Sequence, residues 1–155
     1  MDFLISPSIW EIRDTLPPMH TETMSPSDVI TLTNLGNVPI DLGFQITEPG
    51  PWTPGFYPNV DMFVLRLHIN DEPTAPTAFS LVSDYLKTDI QWATSGVGGK
   101  FGPGGNNVLP PPYASPDNTE NLWMQFVSPT HCTSGESYEA RIEIIMLCTV
   151  RYHMP

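Results

Sequence analysis

The stretch that decides the fold is YEARIEIIMLCTVRYH, Tyr138–His153, near the end of the chain. Every second residue, including Ile142, Cys148 and Val150, is apolar or aromatic, and much of the intervening register is charged. Period-2 alternation predicts a β-strand with one buried face. These sixteen residues would span ~50 Å, which is longer than most strands. We therefore predict a strand that extends beyond its own domain toward a neighbouring molecule.

Shorter alternating segments occupy much of the chain before this stretch, and none has a helical period. Since about eight such segments are separated by turn residues, we predict one all-β domain, residues 1–155, with no significant helix. The expected architecture is an antiparallel β-sandwich, either immunoglobulin-like or jelly-roll-like. The predicted upstream strands are Phe3–Ile12, Asp28–Asn34, Ile40–Thr47, Met62–Asn70, Leu86–Trp92 and Leu122–Phe126.

Turn and loop residues connect these strands. Leu35–Val38 (LGNV) reads as a tight turn, so we predict a hairpin that pairs Asp28–Asn34 with Ile40–Thr47. Residues 95–115 are rich in glycine and proline. A loop of this length in a compact domain is usually functional or disordered, and we interpret it as a flexible or subunit-contacting loop.

The overall composition excludes several classes of function. The net charge of −11 arises from 17 acidic and six basic residues, so nucleic-acid binding is disfavoured. No apolar run approaches the ~20 residues of a membrane-spanning helix. The first ten residues, MDFLISPSIW, show no signal-peptide pattern, and the chain start is either native or the result of processing.

Candidate catalytic and metal-binding motifs are weak. The four histidines have no metal-ligand spacing, and neither phosphate-binding glycine fingerprint fits residues 95–101. We predict that the protein is not an enzyme and needs no cofactor. Calcium remains an alternative at two oxygen-rich segments that lack EF-hand spacing, Asn70–Glu72 and Asp117–Glu120.

The two cysteines are candidates for a disulfide. If the last strand is straight, Cys132 and Cys148 lie ~30 Å apart along it, whereas a disulfide requires Cα atoms within ~7 Å. Three interpretations stay open. The thiols are free, the chain folds back to allow an intrachain bridge, or Cys132 of one subunit meets Cys148 of the next.

Several apolar residues are candidates for subunit contacts. Trp123 alternates with Leu122 and Met124, so we predict that its indole faces outward. Ile145 and Leu147 occupy the outer register of the last strand, and an exposed apolar patch of this kind often marks a protein contact. The N-terminal residues Phe3, Leu4 and Ile5 complete the set. Exposed aromatic residues also leave surface glycans as candidate partners.

The segment Val29–Ile46, VITLTNLGNVPIDLGFQI, resembles secreted immunoglobulin-like or fibronectin-like β-sandwich domains. The match centres on Thr33–Asn37 (TNLGN), and the chain departs from the pattern at residues 95–115 and in its two cysteines. The resemblance implies an extracellular or cell-surface location. Some similar sandwich subunits, pilin-like in this respect, build fibres by lending a terminal strand to a neighbour.

These observations favour a structural function. The expected protein is a subunit of an extracellular filament or surface appendage that polymerises head-to-tail with itself by β-strand donation. The candidate donors are residues 1–9 and the far end of 138–153. Two alternatives remain: a monomeric module that binds carbohydrate or another surface ligand, and a virion structural protein.

Overall fold

A computed structural model describes residues 2–94, 100–102, 108–114, 117–133 and 145–152, with backbone only at 145–147. This part of the chain contains no helix, and hence none that is long and apolar enough to cross a membrane. Two β-sheets pack together, so the predicted all-β sandwich is confirmed. The strands are β1 (Phe3–Ser6), β2 (Thr21–Thr23), β3 (Ile30–Asn34), β4 (Ile40–Glu48), β5 (Thr53–Pro54), β6 (Met62–Asn70), β7 (Gln91–Trp92), β8 (Val108–Leu109), β9 (Thr119–Val127) and β10 (Ile145–Tyr152).

The first sheet has the strand order β1-β3-β9-β6-β5, with β2 also paired to β9. The second sheet has the order β10-β4-β7, with β8 also paired to β4. The strand pairs are antiparallel apart from β5 and β6, which run parallel. The two long strands β6 and β9 form the centre of the first sheet, and β4 forms the centre of the second.

The predicted hairpin between β3 and β4 is wrong, because the two strands belong to different sheets. Their connection passes across the sandwich around the buried side chain of Asn34. Its amide donates to the backbone oxygens of Val38 (2.9 Å) and Leu109 (3.1 Å), and its Oδ1 accepts the Gly36 N–H. The apolar faces of β3 and β4 therefore cover each other across the core instead of lying side by side.

The core fills the space between the two sheets, as the alternating patterns predict. The first sheet contributes inward side chains from β3, β6 and β9, and the second contributes those of β4. Phe101 also lies in this core, edge-on to Phe44 at 5.5 Å between ring centroids. The fully buried members include Leu32, Ile40, Leu42, Phe44, Ile46, Phe63, Leu67, Ile69, Phe101 and Leu109.

One side of the sandwich is closed by residues 84–87, which we call the seam. The Leu67 N–H donates to the Asp84 oxygen, and the Leu86 N–H donates to the Leu65 oxygen, which fixes the seam to β6. The Ile46 N–H donates to the Lys87 oxygen, which fixes the seam to β4. The predicted strand Leu86–Trp92 is thus wrong over most of its length, and only β7 at its end is a strand.

The segments at the chain ends and in the long loop also differ from the sequence interpretation. The first predicted strand is only four residues long, Phe3–Ser6, since Pro7 follows and has no N–H to donate. The last described strand begins at Ile145, with a register shift at Met146, and residues 138–144 and 153 lie outside the described residues. Parts of residues 95–115 do too, but Phe101 and Leu109 anchor the described parts of that loop in the core.

Candidate functional site

The two sheets end in edge strands on the same side of the sandwich, which we call the open side. The seam joins the edge of β6 that faces away from β9 to the edge of β4 that faces away from β10. The strands β1 and β10 lie at the ends of their sheets that are opposite the seam. No described strand pairs with the outer edge of either one. Such edges present backbone N–H and C=O groups that can pair with another chain.

The strand β1 carries three of the predicted subunit-contact residues, and β3 is the one described strand that pairs with it. Phe3 pairs with Asn34, Leu4 with Thr33 and Ile5 with Leu32. Leu4 is 48% exposed, whereas Phe3 and Ile5 are half-buried and pack against the rim of the core. Since the strand is four residues long and its apolar side chains are incompletely buried, its removal exposes little core.

A groove of about 720 Å³ borders the open side, next to β2. The chain segment that follows β1, residues 9–14, forms one wall, and β2 with Ser25 and Asp28 forms the other. Trp10 and Ile12 in the first wall also pack against the core. A concave surface therefore lies between the segment that follows β1 and the segment that contains β2.

The other edge strand, β10, is fixed to β4 by an ion pair. The Asp41 carboxylate is 1% exposed and accepts hydrogen bonds from Arg151 Nε (2.9 Å), Thr94 N (3.2 Å) and Thr94 Oγ1 (2.5 Å). Arg151 is half-exposed, and its guanidinium lies 4.1 Å from the centre of the Trp92 ring. A buried carboxylate requires such partners, so β10 is bound by more than its ladder of backbone hydrogen bonds.

The prediction that Trp123 faces outward is wrong. The indole is fully buried in the core cluster, and its Nε1 donates to Asn70 Oδ1 at 2.8 Å. Both faces of β6 and β9 are largely covered, so alternation on β9 does not separate a buried face from a wet one. Trp123 is consequently not available for a subunit contact. The backbones of Ile145 and Leu147 lie in β10, but their side chains lie outside the described residues.

The structure leaves both cysteines as free thiols and forms no intrachain bridge between them. The loop around Cys132 is held by Asp61, whose Oδ1 accepts the Thr133 N–H at 2.7 Å, and whose N–H donates to the His131 oxygen. The hydroxyl of Thr133 also bonds to this carboxylate, and these bonds hold the pKa of Asp61 below its usual range. An intersubunit bond between Cys132 and Cys148 stays a prediction.

We expect the two thiols to react at very different rates. Burial raises the pKa of Cys148 from 9.0 to about 12, which lowers its thiolate fraction by about a thousandfold at neutral pH, and the thiolate is the reactive form. In the folded protein Cys132 should react with an aromatic disulfide reagent first, and Cys148 should react only slowly. Mass spectrometry of the labelled peptides measures both rates. Rapid labelling of Cys148 without denaturant would contradict the burial of this thiol, and Cys132→Ser is the matched control.

The two acidic segments proposed for calcium lie near each other but form no metal site. Burial raises the pKa of Glu120, and the charges of Asp71 and Asp117 raise it further. Asn70 and Asn118 use their side chains for protein hydrogen bonds, with Trp123 and with the Asn34 oxygen. Within the described ranges, no group of three or more histidine, cysteine or acidic residues is arranged to hold a metal ion.

Comparison of the chain with protein-family models, with curated proteins and with solved structures finds no match.

Proposed function

We propose that this protein is the structural subunit of an extracellular filament or surface appendage, which polymerises head-to-tail by β-strand donation. The observation that supports this function best is that β1, only four residues long, lies at the edge of its sheet, where β3 is the one described strand that pairs with it. Added strands bind such edges through main-chain hydrogen bonds, and side-chain pockets supply the specificity.

Of the two candidate donors, β1 is favoured over β10. It has four residues against eight in β10, and among the described strands it pairs with β3 alone. In contrast, β10 pairs along most of β4 and is fixed by Arg151 to the buried Asp41. A strand that is released and bound again by a neighbour must have a small energetic cost of release, and β1 meets this condition.

In a single chain, β1 pairs with β3 of the same molecule. In the proposed filament, β1 leaves this position and pairs with β3 of the next subunit. The registers are the same, with Leu4 opposite Thr33 and Ile5 opposite Leu32. Each subunit then gives one strand and receives one. A contact of this heterologous type does not close on itself, so it yields fibres.

Deletion of residues 1–9 is expected to abolish filaments while leaving a folded monomer, because the deletion removes β1 without reaching β3, β9 or β6. Negative-stain electron microscopy and sedimentation of the purified protein measure assembly. Ile9→Ala, a change at an exposed side chain, is the matched control and should assemble normally. Normal fibres from the truncated protein would rule out β1 as the donor, and dispersed monomers of the intact chain under all conditions would rule out the proposed function.

A further inference from the structure

Basic residues are scarce in this chain, yet two of the six lie over one aromatic ring. Lys87 Nζ lies 5.1 Å and Lys100 Nζ 5.0 Å from the centre of the Tyr85 ring. The backbone of Arg66 pairs with that of Tyr85 through an isolated β-bridge, but its guanidinium bonds to Gln125 Oε1 on β9. This concentration of positive charge stands out because the whole chain carries a net charge of −11.

Two further aromatic residues extend this surface. Phe56 lies edge-on to Tyr85, with 4.9 Å between ring centroids, and edge-on to Tyr57, with 4.5 Å. Tyr57 is 59% exposed, so the cluster presents an aromatic ring to solvent beside the cations. We call the surface the basic–aromatic patch: Phe56, Tyr57, Tyr85, Lys87 and Lys100.

The seam holds the patch in a fixed place. Asp84 and Leu86 are 1% exposed, and alternation along an extended chain therefore directs Tyr85 and Lys87 outward. Hydrogen bonds from the seam to both β6 and β4 fix this backbone on each side. Residues presented by a backbone anchored on both sides form a more precise binding surface than residues on a free loop.

Asp84 is buried beneath the patch, and its carboxylate is hydrogen-bonded to other residues. Asp84 Oδ2 is bonded to His68 Nδ1 (3.1 Å) and accepts the Ser80 N–H (2.8 Å), and Asp84 Oδ1 accepts the Ser83 hydroxyl. These bonds keep the carboxylate inside the protein, although its charge still acts on Lys100. The charge of Asp89 also acts on Lys87.

The two lysine charges repel each other across Tyr85. The pKa of Lys100 is lowered chiefly by burial and also by the charge of Lys87, while Tyr85 and Asp84 act in the opposite direction. An anion placed beside both ammonium groups would offset their repulsion. At physiological ionic strength, charges beyond about 8 Å are largely screened, so the net negative charge of the chain does not prevent an anion from binding here.

We propose that the basic–aromatic patch binds an acidic polysaccharide, in which carboxylate or sulfate groups pair with Lys87 and Lys100 and a sugar ring stacks on Tyr57. A saccharide of this class presents an apolar ring face and an anionic group on neighbouring atoms, which matches adjacent aromatic and cationic side chains. Nucleic acid fits less well, since its binders neutralise many more phosphates than two cations allow. This site is independent of strand donation.

The test measures binding of the full chain to polygalacturonate and to heparin by titration calorimetry, with neutral dextran and polyglutamate as comparison probes. We expect binding to at least one acidic polysaccharide, weakened by added salt. The paired change Lys87→Glu and Lys100→Glu should reduce affinity by about tenfold or more, and the milder pair Lys87→Gln and Lys100→Gln should show the same direction. Polygalacturonate and heparin distinguish carboxylate from sulfate recognition.

Matched controls separate the patch from general surface effects. Tyr57→Ala should weaken binding by about tenfold, whereas Tyr152→Ala, at a tyrosine of similar exposure, should not. Arg13→Glu, at an exposed base outside the patch, should also have little effect. Failure to bind either acidic polysaccharide, equal binding of dextran, or unchanged affinity in the folded lysine variants would overturn the proposal. Equal binding of polyglutamate, unaffected by Tyr57→Ala, would show a site for acidic protein chains instead.

Discussion

Replacement of Asp41 by alanine is expected to lower the free energy of unfolding by about 3 kcal/mol or more, because three hydrogen bonds to a buried carboxylate are lost and each is worth about 1.5–3 kcal/mol. The substitution removes the acceptor of Arg151 Nε and of both Thr94 donors. It therefore loosens the attachment of β10 and of the chain after β7 to β4 at the same time. Denaturant unfolding followed by circular dichroism measures the change.

Two matched variants show how much of this loss of stability comes from the bond to Arg151 and how much from removing an acid at the surface. Arg151→Ala should cost less, about 1–3 kcal/mol, because Arg151 is half-exposed and Asp41 keeps its two bonds from Thr94. Asp89→Ala, at an exposed acid, should change stability by less than about 0.5 kcal/mol. If Asp41→Ala were as mild as Asp89→Ala, the buried ion pair would not hold β10 in place.

Trp123→Ala is expected to have an effect of similar size, about 3–5 kcal/mol. The indole is fully buried between strands that are covered on both faces, and its removal leaves a large cavity and breaks the hydrogen bond to Asn70 Oδ1. We expect a lower denaturation midpoint. We also expect the tryptophan fluorescence to lack the contribution of the buried indole.

Two controls make this prediction specific. Trp123→Phe keeps most of the apolar volume and should cost less than the alanine change, with the loss of the Asn70 hydrogen bond as its main component. Leu4→Ala, at a half-exposed residue of β1, should cost under about 1 kcal/mol. A stable Trp123→Ala protein with an unchanged midpoint would mean that this indole faces solvent, as its place in the sequence pattern suggested.

The sequence predicted the long central strands well and the pairing of strands poorly. Met62–Asn70 is a strand with the predicted bounds, because its apolar alternation is long and is bounded by turn residues. The alternation in β3 and β4 also identified their buried faces, but it does not record which strand pairs with which. A turn such as Leu35–Val38 fits both a hairpin and a crossing between sheets, and the deciding contact, Asn34 with Leu109, joins distant residues.

The candidate surfaces could not be predicted from the local sequence pattern, because they depend on contacts between residues that are far apart in the sequence. Trp123 appeared to be exposed because alternation assumes one wet face, whereas other chain segments cover both faces of β9. Asp41 sits in the outward register of β4, and its burial follows from Arg151 and Thr94, which are far away in the sequence. The basic–aromatic patch likewise assembles Phe56, Tyr85 and Lys100 from three separate segments.

The most direct test of strand donation is a cross-link between Leu4 and Thr33, which face each other across β1 and β3. Leu4→Cys and Thr33→Cys are combined in a chain that also carries Cys132→Ser and Cys148→Ala, and the assembled protein is oxidised and run on a non-reducing denaturing gel. Strand donation predicts a ladder of covalent dimers, trimers and larger species that collapses to monomer on reduction. A disulfide found only within single chains, in protein that has formed filaments, would contradict the donation of β1.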